Sequence, residues 1–176
     1  MQTARLRLRP VTPADAPRIA ILGGDWDVAR MTGRIPYPYS EAAALHWVSG
    51  LAEGEIVSGI ELDGALIGIC GYSPAEGRSP GQSGELGYWI GKPYWGHGFA
   101  AEAAGALIEH GFTKAGIRRF TCSHFLDNLA SARVAAKLGF QPTGSCEGWC
   151  EARRQHLPAM CYERRRTWRE ALRALV

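Results

Sequence analysis

Residues 85–104 read ELGYWIGKPYWGHGFAAEAA, and a strand, a loop and a helix follow one another within them. The run from Glu85 to Ile90 is β-like and leads into Gly91-Lys92-Pro93, a breaker sequence that ends a strand. A long helix is predicted from about Gly98 to Ala115. The residues between them form a glycine-containing strand-to-helix loop.

This loop has the features of a phosphate-binding site. Gly96 and Gly98 let backbone N–H groups approach a ligand without obstruction by a Cβ atom. The helix adds its unpaired amides and the positive end of its dipole, so a pyrophosphate would have several donors and would need no metal. A tight turn without a ligand is the simpler explanation of the two glycines taken alone.

A dinucleotide site is a second specific interpretation of the same loop, since residues 96–101 nearly fit GxGxxG/A. That fingerprint requires a parallel βαβ unit with an acidic residue closing the second strand. The candidate, Asp127, stands immediately before Asn128 and another predicted helix, where helix capping explains it. The placement therefore argues against a dinucleotide.

The flanking sequence predicts a mixed α/β (α+β) sheet. Residues 55–62 and 65–72 form a predicted β-hairpin, because Asp63-Gly64 between them tolerates the positive φ angles of a tight turn. The other predicted elements are, in chain order, a strand over 3–9, a helix from Thr12 to Gly23, a helix from about Ser40, a loop over 73–83, a strand over 119–125, a helix over 128–138, extended segments from Gln141 and a closing helix over 167–175.

Length and composition limit the class of protein. A chain of 176 residues is expected to form a single domain over 1–176. It has no apolar run near the roughly 20 residues that span a bilayer and no visible secretion signal, so we expect no membrane contact and a cytoplasmic location. The formal charge of +3 is too mild to indicate nucleic acid. Five scattered cysteines in such a chain predict reduced thiols.

A second group of polar residues lies at the start of the helix predicted over 128–138. Asn128 and Ser131 are three residues apart and therefore share one face of the first turn. Capping of the unpaired N–H groups explains either residue taken alone. A ligand-binding role becomes the stronger interpretation only in combination with the glycine loop.

Together these motifs resemble the GNAT superfamily of N-acetyltransferases, in particular the branch of ribosomal-protein N-terminal acetyltransferases (RimJ/RimL-like). The resemblance rests on residues 85–90, 94–102 and 128–140, extends to the opening Arg5–Pro10 strand, and is strongest over 84–144. It implies a mixed, mostly antiparallel sheet of six to seven strands with about four helices. It also implies that the strand before the pyrophosphate loop splays from its neighbour.

The resemblance implies transfer of an acetyl group from acetyl-coenzyme A (acetyl-CoA) to a primary amine, by direct attack in a ternary complex without a metal. The acceptor is left open between a protein N-terminus and a small-molecule amine. The implied cofactor-binding residues are Tyr88, Trp89, Ile90, Trp95, Gly96, His97, Gly98, Phe99, Ala100, Asn128 and Ser131. Trp95 departs from the family's glutamine or arginine, which removes one side-chain contact from a motif that acts mainly through backbone amides. His97 is expected to be a solvated side chain.

Three residues are implied in catalysis. Ser131 matches the position that donates a proton to the departing sulfur in the ribosomal-protein branch. Glu85, on the strand that leads into the loop, is the first candidate for the base that deprotonates the amine. Glu151 is its rival and Glu147 a weaker one, since both lie in the region where that branch carries its base. Each glutamate alone is equally explained as a solvated carboxylate.

The remaining candidates are alternatives to this picture. Tyr37, Tyr39 and Trp47 would line an acceptor pocket in this architecture. A zinc set drawn from Cys146, Cys150, His156 and Cys161 matches no common finger spacing, so no metal is expected. A non-catalytic CoA-binding sensor and a nucleotide-binding oxidoreductase remain as other functions, and the chain is expected to be a monomer or a homodimer.

Overall fold

A seven-stranded sheet runs through the structure, a computed structural model that describes residues 1–52, 55–74 and 82–174. The strands are β1 Arg7–Pro10, β2 Ile56–Leu62, β3 Ala65–Pro74, β4 Ser83–Ile90, β5 Arg119–Phe125, β6 Gln141–Cys150 and β7 Gln155–Arg165. The α-helices are α1 Ala16–Gly23, α2 Trp26–Ala29, α3 Glu41–Ser49, α4 Phe99–Thr113, α5 Leu129–Lys137 and α6 Trp168–Arg173. The mixed sheet predicted from the sequence is confirmed. The described α-helices number six rather than about four, since the short helices α2 and α6 add to four longer ones.

One pair of neighbouring strands determines where the sheet opens. The strand order is β1-β2-β3-β4-β5-β7-β6, and all described pairs are antiparallel except β4 with β5. β4 and β5 pair only from Ser83 opposite Arg119 to Glu85 opposite Thr121. Beyond that point β4 follows β3 and β5 follows β7. The two strands therefore separate after Glu85, which confirms the expected splay before the glycine loop.

Each face of the sheet has its own apolar core. On one face α4 and α5 pack against the strands, and Phe112 of α4 lies 5.1 Å from Phe120 of β5, measured between ring centroids. On the other face α1 and α3 pack through residues such as Ile19 and Ala44 against Ile69 of β3. The alternation of side chains along the strands divides the residues between the two faces. Any opening between β4 and β5 therefore connects the two faces.

The hairpin of β2 and β3 forms as its turn predicts. Asp63 and Gly64 have φ angles of 49° and 81°, the left-handed values of a two-residue hairpin turn.

The predicted helix from Ser40 also forms, with the Ser40 hydroxyl accepting the N–H of Ala43 at 3.1 Å as an N-cap. The predicted loop over 73–83 is partly wrong, because Ser73 and Pro74 belong to β3 and Ser83 begins β4. Its residues 75–81 lie outside the described residues.

The N-terminal strand is shorter than the predicted span of residues 3–9. β1 begins only at Arg7, because the preceding residues turn back on it. The Thr3 N–H donates to the Leu6 carbonyl at 2.8 Å, and the Leu8 N–H donates to the Met1 carbonyl at 2.8 Å. The alternation of apolar and arginine residues was a true strand signal only for the second half of the segment. The first half is used in a turn that contacts α4.

The expectation of five reduced thiols is wrong for one pair. Cys146 of β6 and Cys161 of β7 form a disulfide with a Cα–Cα distance of 6.3 Å. The register places Cys146 opposite Ala159 and Cys161 opposite Gly144, so the two cysteines are diagonal neighbours across antiparallel strands. Cys70, Cys122 and Cys150 are free.

No helix in the described part of the chain has the length and apolarity needed to cross a bilayer.

Candidate active site

The loop between β4 and α4 presents an open backbone at the start of a helix of 15 residues. Gly96 and Gly98 have φ angles of 82° and 79°, which L side chains rarely adopt. A Cβ atom added to Gly96 would meet no atom within 4 Å, and one added to Gly98 would meet only the guanidinium of Arg5 at 3.8 Å. The first turn of α4 offers N–H groups that lack intrahelical acceptors. These features fit a pyrophosphate group.

Side chains of the loop hold its shape. The Trp95 indole N–H donates to the Ile90 carbonyl at 2.6 Å, which ties the loop to the end of β4. His97 is exposed, and its ring stacks on Phe99 with 5.5 Å between centroids. Phe99 is itself buried, and Ala100 packs against the same core. Trp95, His97 and Phe99 therefore support the loop, while Gly96 and Gly98 leave its backbone open.

A cavity of about 330 Å³ lies at the splay between β4 and β5. The described residues that line it include four of the predicted site residues, Glu85, Tyr88, Trp89 and Ser131. Tyr88 packs with the core of α4 and Trp89 with the core of α1 and α3, so consecutive residues of β4 face opposite sides of the sheet. The cavity thus brings residues from both faces together where the strands part.

Ser131 and Tyr88 meet on the α5 side of the cavity. Burial raises the pKa of Tyr88 to about 12, and a hydrogen bond with the Ser131 hydroxyl lowers it by a smaller amount. Cys122 lines the same side, where burial first and the charge of Glu85 second raise the pKa of its thiol to about 12. The Tyr88 phenol and the Cys122 thiol therefore stay protonated at neutral pH. Ser131 brings a hydroxyl from the first turn of α5 to this side of the cavity.

Asn128 is the N-cap of α5. Its side-chain oxygen accepts the N–H of Ser131 at 3.1 Å, and its amide nitrogen donates to the Met31 carbonyl at 3.4 Å. The capping explanation of Asn128 is thus realised in the structure. Its second contact joins α5 to the loop after α2, which forms part of the cavity wall. The predicted contact between Asn128 and the pantetheine arm stays a prediction.

The three candidate bases have different positions. Glu85 is exposed on β4 and lines the cavity at the point where β5 begins to separate. Glu151 lies in the turn between β6 and β7, where its carboxylate accepts the Trp149 indole N–H at 2.7 Å and its own N–H donates to Gly33 at 3.0 Å. Glu147 is exposed on β6. Of the three, only Glu85 is among the described residues that line the cavity.

Residues that the sequence did not single out make up most of the wall on the α1 and α3 side. Tyr39 and Trp47 line the cavity on this side, and their role in an acceptor pocket stays a prediction. Tyr37 instead packs on Trp26, with 5.0 Å between ring centroids. The other described residues on this side include Ile19, Met31, Arg34, Ile35, Leu51, Glu55, Val57 and Ile69. No motif marks them, because they come from separate segments that meet only in the folded chain.

The cysteines considered as zinc ligands in the C-terminal strands make other contacts. Two of its members, Cys146 and Cys161, form the disulfide. The Cys150 thiol is buried and donates to the carbonyls of Thr32 at 3.4 Å and Arg30 at 3.6 Å. Within the described ranges, no group of three or more His, Cys, Asp or Glu residues is arranged to hold a metal ion.

Comparison with known proteins identifies the architecture. The model of the acetyltransferase (GNAT) domain family matches residues 5–141. The chain belongs to the GNAT acetyltransferase family. It is 31% identical to the uncharacterized N-acetyltransferase YoaA of Bacillus subtilis, covering 82% of this chain and 84% of the relative. It is therefore an acetyltransferase.

Homologues of this enzyme include ribosomal-protein acetyltransferases. The ribosomal-protein-serine acetyltransferase of Escherichia coli is 33% identical over 43% of this chain and 41% of its own length. The solved structure of RimL, the ribosomal L7/L12 alpha-N-protein acetyltransferase in complex with coenzyme A, superposes with a TM-score of 0.79 at 20% identity, covering 93% of this chain and 95% of RimL. The fold is therefore that of GNAT enzymes.

The dinucleotide interpretation is not supported by the site. The unit β4-α4-β5 does contain the parallel strand pair that the fingerprint requires. However, the carboxylate of Asp127, the acidic residue after β5, forms an ion pair of 2.7 Å with Arg153. That carboxylate is thereby engaged within the protein rather than held ready for a ribose. Family membership and this ion pair together argue against a dinucleotide site.

Proposed function

We propose that the enzyme is a cytoplasmic, single-domain N-acetyltransferase that moves the acetyl group of acetyl-CoA to a primary amine by direct attack in a ternary complex. The observation that carries this proposal is the cavity at the splay, because it is lined from both faces of the sheet. A donor on the α4 and α5 side and an acceptor on the α1 and α3 side would meet there without an acyl-enzyme step.

The donor side suits CoA in two places. The open glycines and the first turn of α4 would hold the pyrophosphate, and the edge of β4 beyond Glu85 is free of its neighbouring strand. Backbone N–H groups of Tyr88 to Ile90 on that edge would bind the pantetheine arm and the thioester oxygen, on which negative charge develops. This arrangement uses chiefly main-chain donors, so the replacement of a side-chain contact at Trp95 is tolerated.

The reaction balances with two proton transfers. The amine nitrogen bonds to the acetyl carbon, and the bond between that carbon and sulfur breaks. An ammonium acceptor loses two protons: one leaves through a base to solvent, and the other replaces the acetyl group on sulfur. Ser131 is proposed as the donor to sulfur, since it lines the cavity on the α5 side. A thiol is a good leaving group, so this contribution is modest.

Glu85 is the better supported of the two principal candidate bases. It lines the cavity, and its charge acts on Cys122 across the splay. Glu151 has its carboxylate engaged by the Trp149 indole and stands in a turn. A base must reach the amine directly or through one water. We therefore assign deprotonation of the acceptor to Glu85 and leave Glu151 a role in the hairpin turn.

The proposal is tested by titrating the purified enzyme with acetyl-CoA in a calorimeter and then measuring thiol release against a panel of amines and N-terminal peptides. Saturable binding with thiol release that depends on the acceptor is expected. Binding without release for every acceptor would indicate the non-catalytic sensor instead. Absence of acetyl-CoA binding would contradict the assignment of the loop.

A further inference from the structure

The acceptor side of the cavity is mainly apolar. Eight of its described lining residues are aliphatic or aromatic: Ile19, Ile35, Tyr39, Trp47, Leu51, Val57, Ile69 and Trp89. Only two carboxylates, Glu55 and Glu85, line the described part of the cavity, so an acceptor with more than two ammonium groups would place unpaired charge against apolar side chains, which is costly. The wall therefore favours a small acceptor with an apolar carbon skeleton.

Three charged residues interrupt this wall. Glu55 and Glu85 are acidic, and Arg34 is the one Lys or Arg among the described residues that line the cavity. Glu85 stands at the splay, where the amine must meet the thioester. If the amine of the acceptor binds near Glu85, Arg34 can bind a second part of the acceptor that is negatively charged.

The backbone on both sides of Arg34 is held in place. The Gly33 carbonyl accepts the N–H of Glu151 at 3.0 Å, and Ile35 is buried. The guanidinium of Arg34 forms no ion pair or hydrogen bond with the described residues, whereas Arg30 in the same region pairs with Asp27 at 3.0 Å. Arg34 is exposed at the cavity, and its planar fork is suited to a carboxylate.

We propose that the acceptor is a small amine that carries a carboxylate on an apolar skeleton, the chemistry of a free amino acid with an apolar side chain. This inference rests on the proposed function. Arg34 binds the carboxylate, the apolar wall binds the side chain, and the amine faces Glu85 at the splay. A protein N-terminus has a peptide bond in place of the α-carboxylate, so its backbone would leave Arg34 unused.

Paired acceptors test this proposal. L-Phenylalanine and 2-phenylethylamine differ by the carboxylate alone, so thiol release should give a kcat/KM on the order of tenfold higher for the amino acid. Arg34→Gln should abolish this preference by lowering kcat/KM for L-phenylalanine and leaving the value for 2-phenylethylamine unchanged. Arg30→Gln is the matched control, since Arg30 is paired and does not line the cavity.

The outcomes separate this inference from the function on which it rests. Two outcomes overturn the inference and keep the acetyltransferase. Either 2-phenylethylamine, spermidine or a C-terminally amidated tripeptide gives a kcat/KM equal to that of L-phenylalanine, or Arg34→Gln leaves the kcat/KM for L-phenylalanine unchanged. Absence of release with every amine defeats the proposed function itself.

A second inference, which rests on different contacts, concerns Arg5 next to the loop between β4 and α4. Its guanidinium donates to the His97 carbonyl at 3.0 Å and lies 4.6 Å above the centre of the Phe99 ring. Its backbone N–H and its Nε each donate to the Glu102 carboxylate at 2.8 Å. The Thr3 hydroxyl also donates to this carboxylate, at 2.6 Å. The N-terminal turn is thereby bonded to the loop and to the first turn of α4.

These contacts have two consequences for an anion at the helix start. The His97 carbonyl is tethered between the two left-handed glycines, which fixes the orientation of the neighbouring peptide groups. Glu102 lies in the first turn of α4, where its charge would repel a pyrophosphate. Arg5 pairs with this charge at 2.7 Å. We infer that Arg5 is a positioning residue for the pyrophosphate of the donor.

Two acetyl donors test the role of Arg5, because acetyl-pantetheine carries the thioester but no pyrophosphate. Arg5→Gln should raise the KM for acetyl-CoA on the order of tenfold, leave kcat unchanged, and leave the kinetics with acetyl-pantetheine unchanged. Arg5→Lys should recover part of the loss. Arg7→Gln is the control, since Arg7 is 63% exposed and pairs with Glu61 on β2 at 3.6 Å. Equal losses with both donors, or no loss with acetyl-CoA, would overturn the inference.

Discussion

The two sides of the cavity differ in how the chain supplies them. The α4 and α5 side comes from β4, from residues 122–124 of β5 and from α5, and the glycine loop that follows β4 is not among the lining residues. The α1 and α3 side is assembled from α1, the loop after α2, α3, β2 and β3. In the proposed function the donor binds mainly to backbone groups of β4 and of the loop before α4, whereas the acceptor contacts side chains. A site for a common donor can thus persist in one local motif while the acceptor site varies in scattered positions.

The largest expected effect is on the donor side. Gly98→Val places a β-branched residue at a φ of 79°, which costs about 1–3 kcal/mol. Its side chain would also occupy the space at the start of α4 that is proposed to hold the pyrophosphate. Calorimetry should show acetyl-CoA binding weakened on the order of 100-fold or more.

Gly116→Val is the control for strain alone. Gly116 also has a left-handed φ, of 72°, but it lies between α4 and β5, away from the loop between β4 and α4. Its variant should retain acetyl-CoA binding. A Gly98→Val enzyme that still binds acetyl-CoA with unchanged affinity would remove the loop from the donor site.

A smaller effect is expected at the boundary between the two sides. Ser131→Ala removes the proposed proton donor to sulfur, so kcat should fall on the order of 10-fold to 100-fold while acetyl-CoA affinity stays nearly constant. Ser123→Ala is the matched control, since Ser123 also lines the cavity. Full turnover of the Ser131→Ala enzyme would exclude Ser131 from the acid role.

The smallest of these effects depends on pH. Glu85→Gln removes the proposed base, so kcat/KM for the amine should fall on the order of 10-fold near neutral pH. The deficit should shrink as pH rises, because the acceptor then loses its own proton to solvent before it binds. A pH series of thiol release on Glu85→Gln and Glu151→Gln measures this. If kcat/KM falls in Glu151→Gln and not in Glu85→Gln, the base is Glu151 of the hairpin turn.

The sequence predicted the donor side better than the acceptor side for physical reasons. The strand over 85–90, the turn at Asp63-Gly64 and the helix after Gly98 depend on local propensity, and all three are present. The loop that carries Arg34 is held by the end of β6 and the turn after it, through contacts such as the Cys150 thiol to the Arg30 carbonyl, 120 residues apart. No local pattern encodes such a contact.

Two errors have the same origin. The turn at Thr3 to Leu6 replaces the first half of a predicted strand, and it is stabilised by Glu102, 99 residues from Thr3. The disulfide between Cys146 and Cys161 depends on the register of β6 and β7, which alternation alone does not set. In both cases tertiary contacts decided between local conformations that the sequence left equivalent.

Hydrogen exchange with and without CoA tests the central claim most directly, namely that the donor occupies the splay of β4 and the start of α4. The account predicts slower exchange of the amides over 86–91 and 98–102 on CoA binding, while the loop over 31–35 keeps its rate until an acceptor is added. Protection confined to the loop over 31–35, or none over 86–91 and 98–102 at saturating CoA, would contradict it.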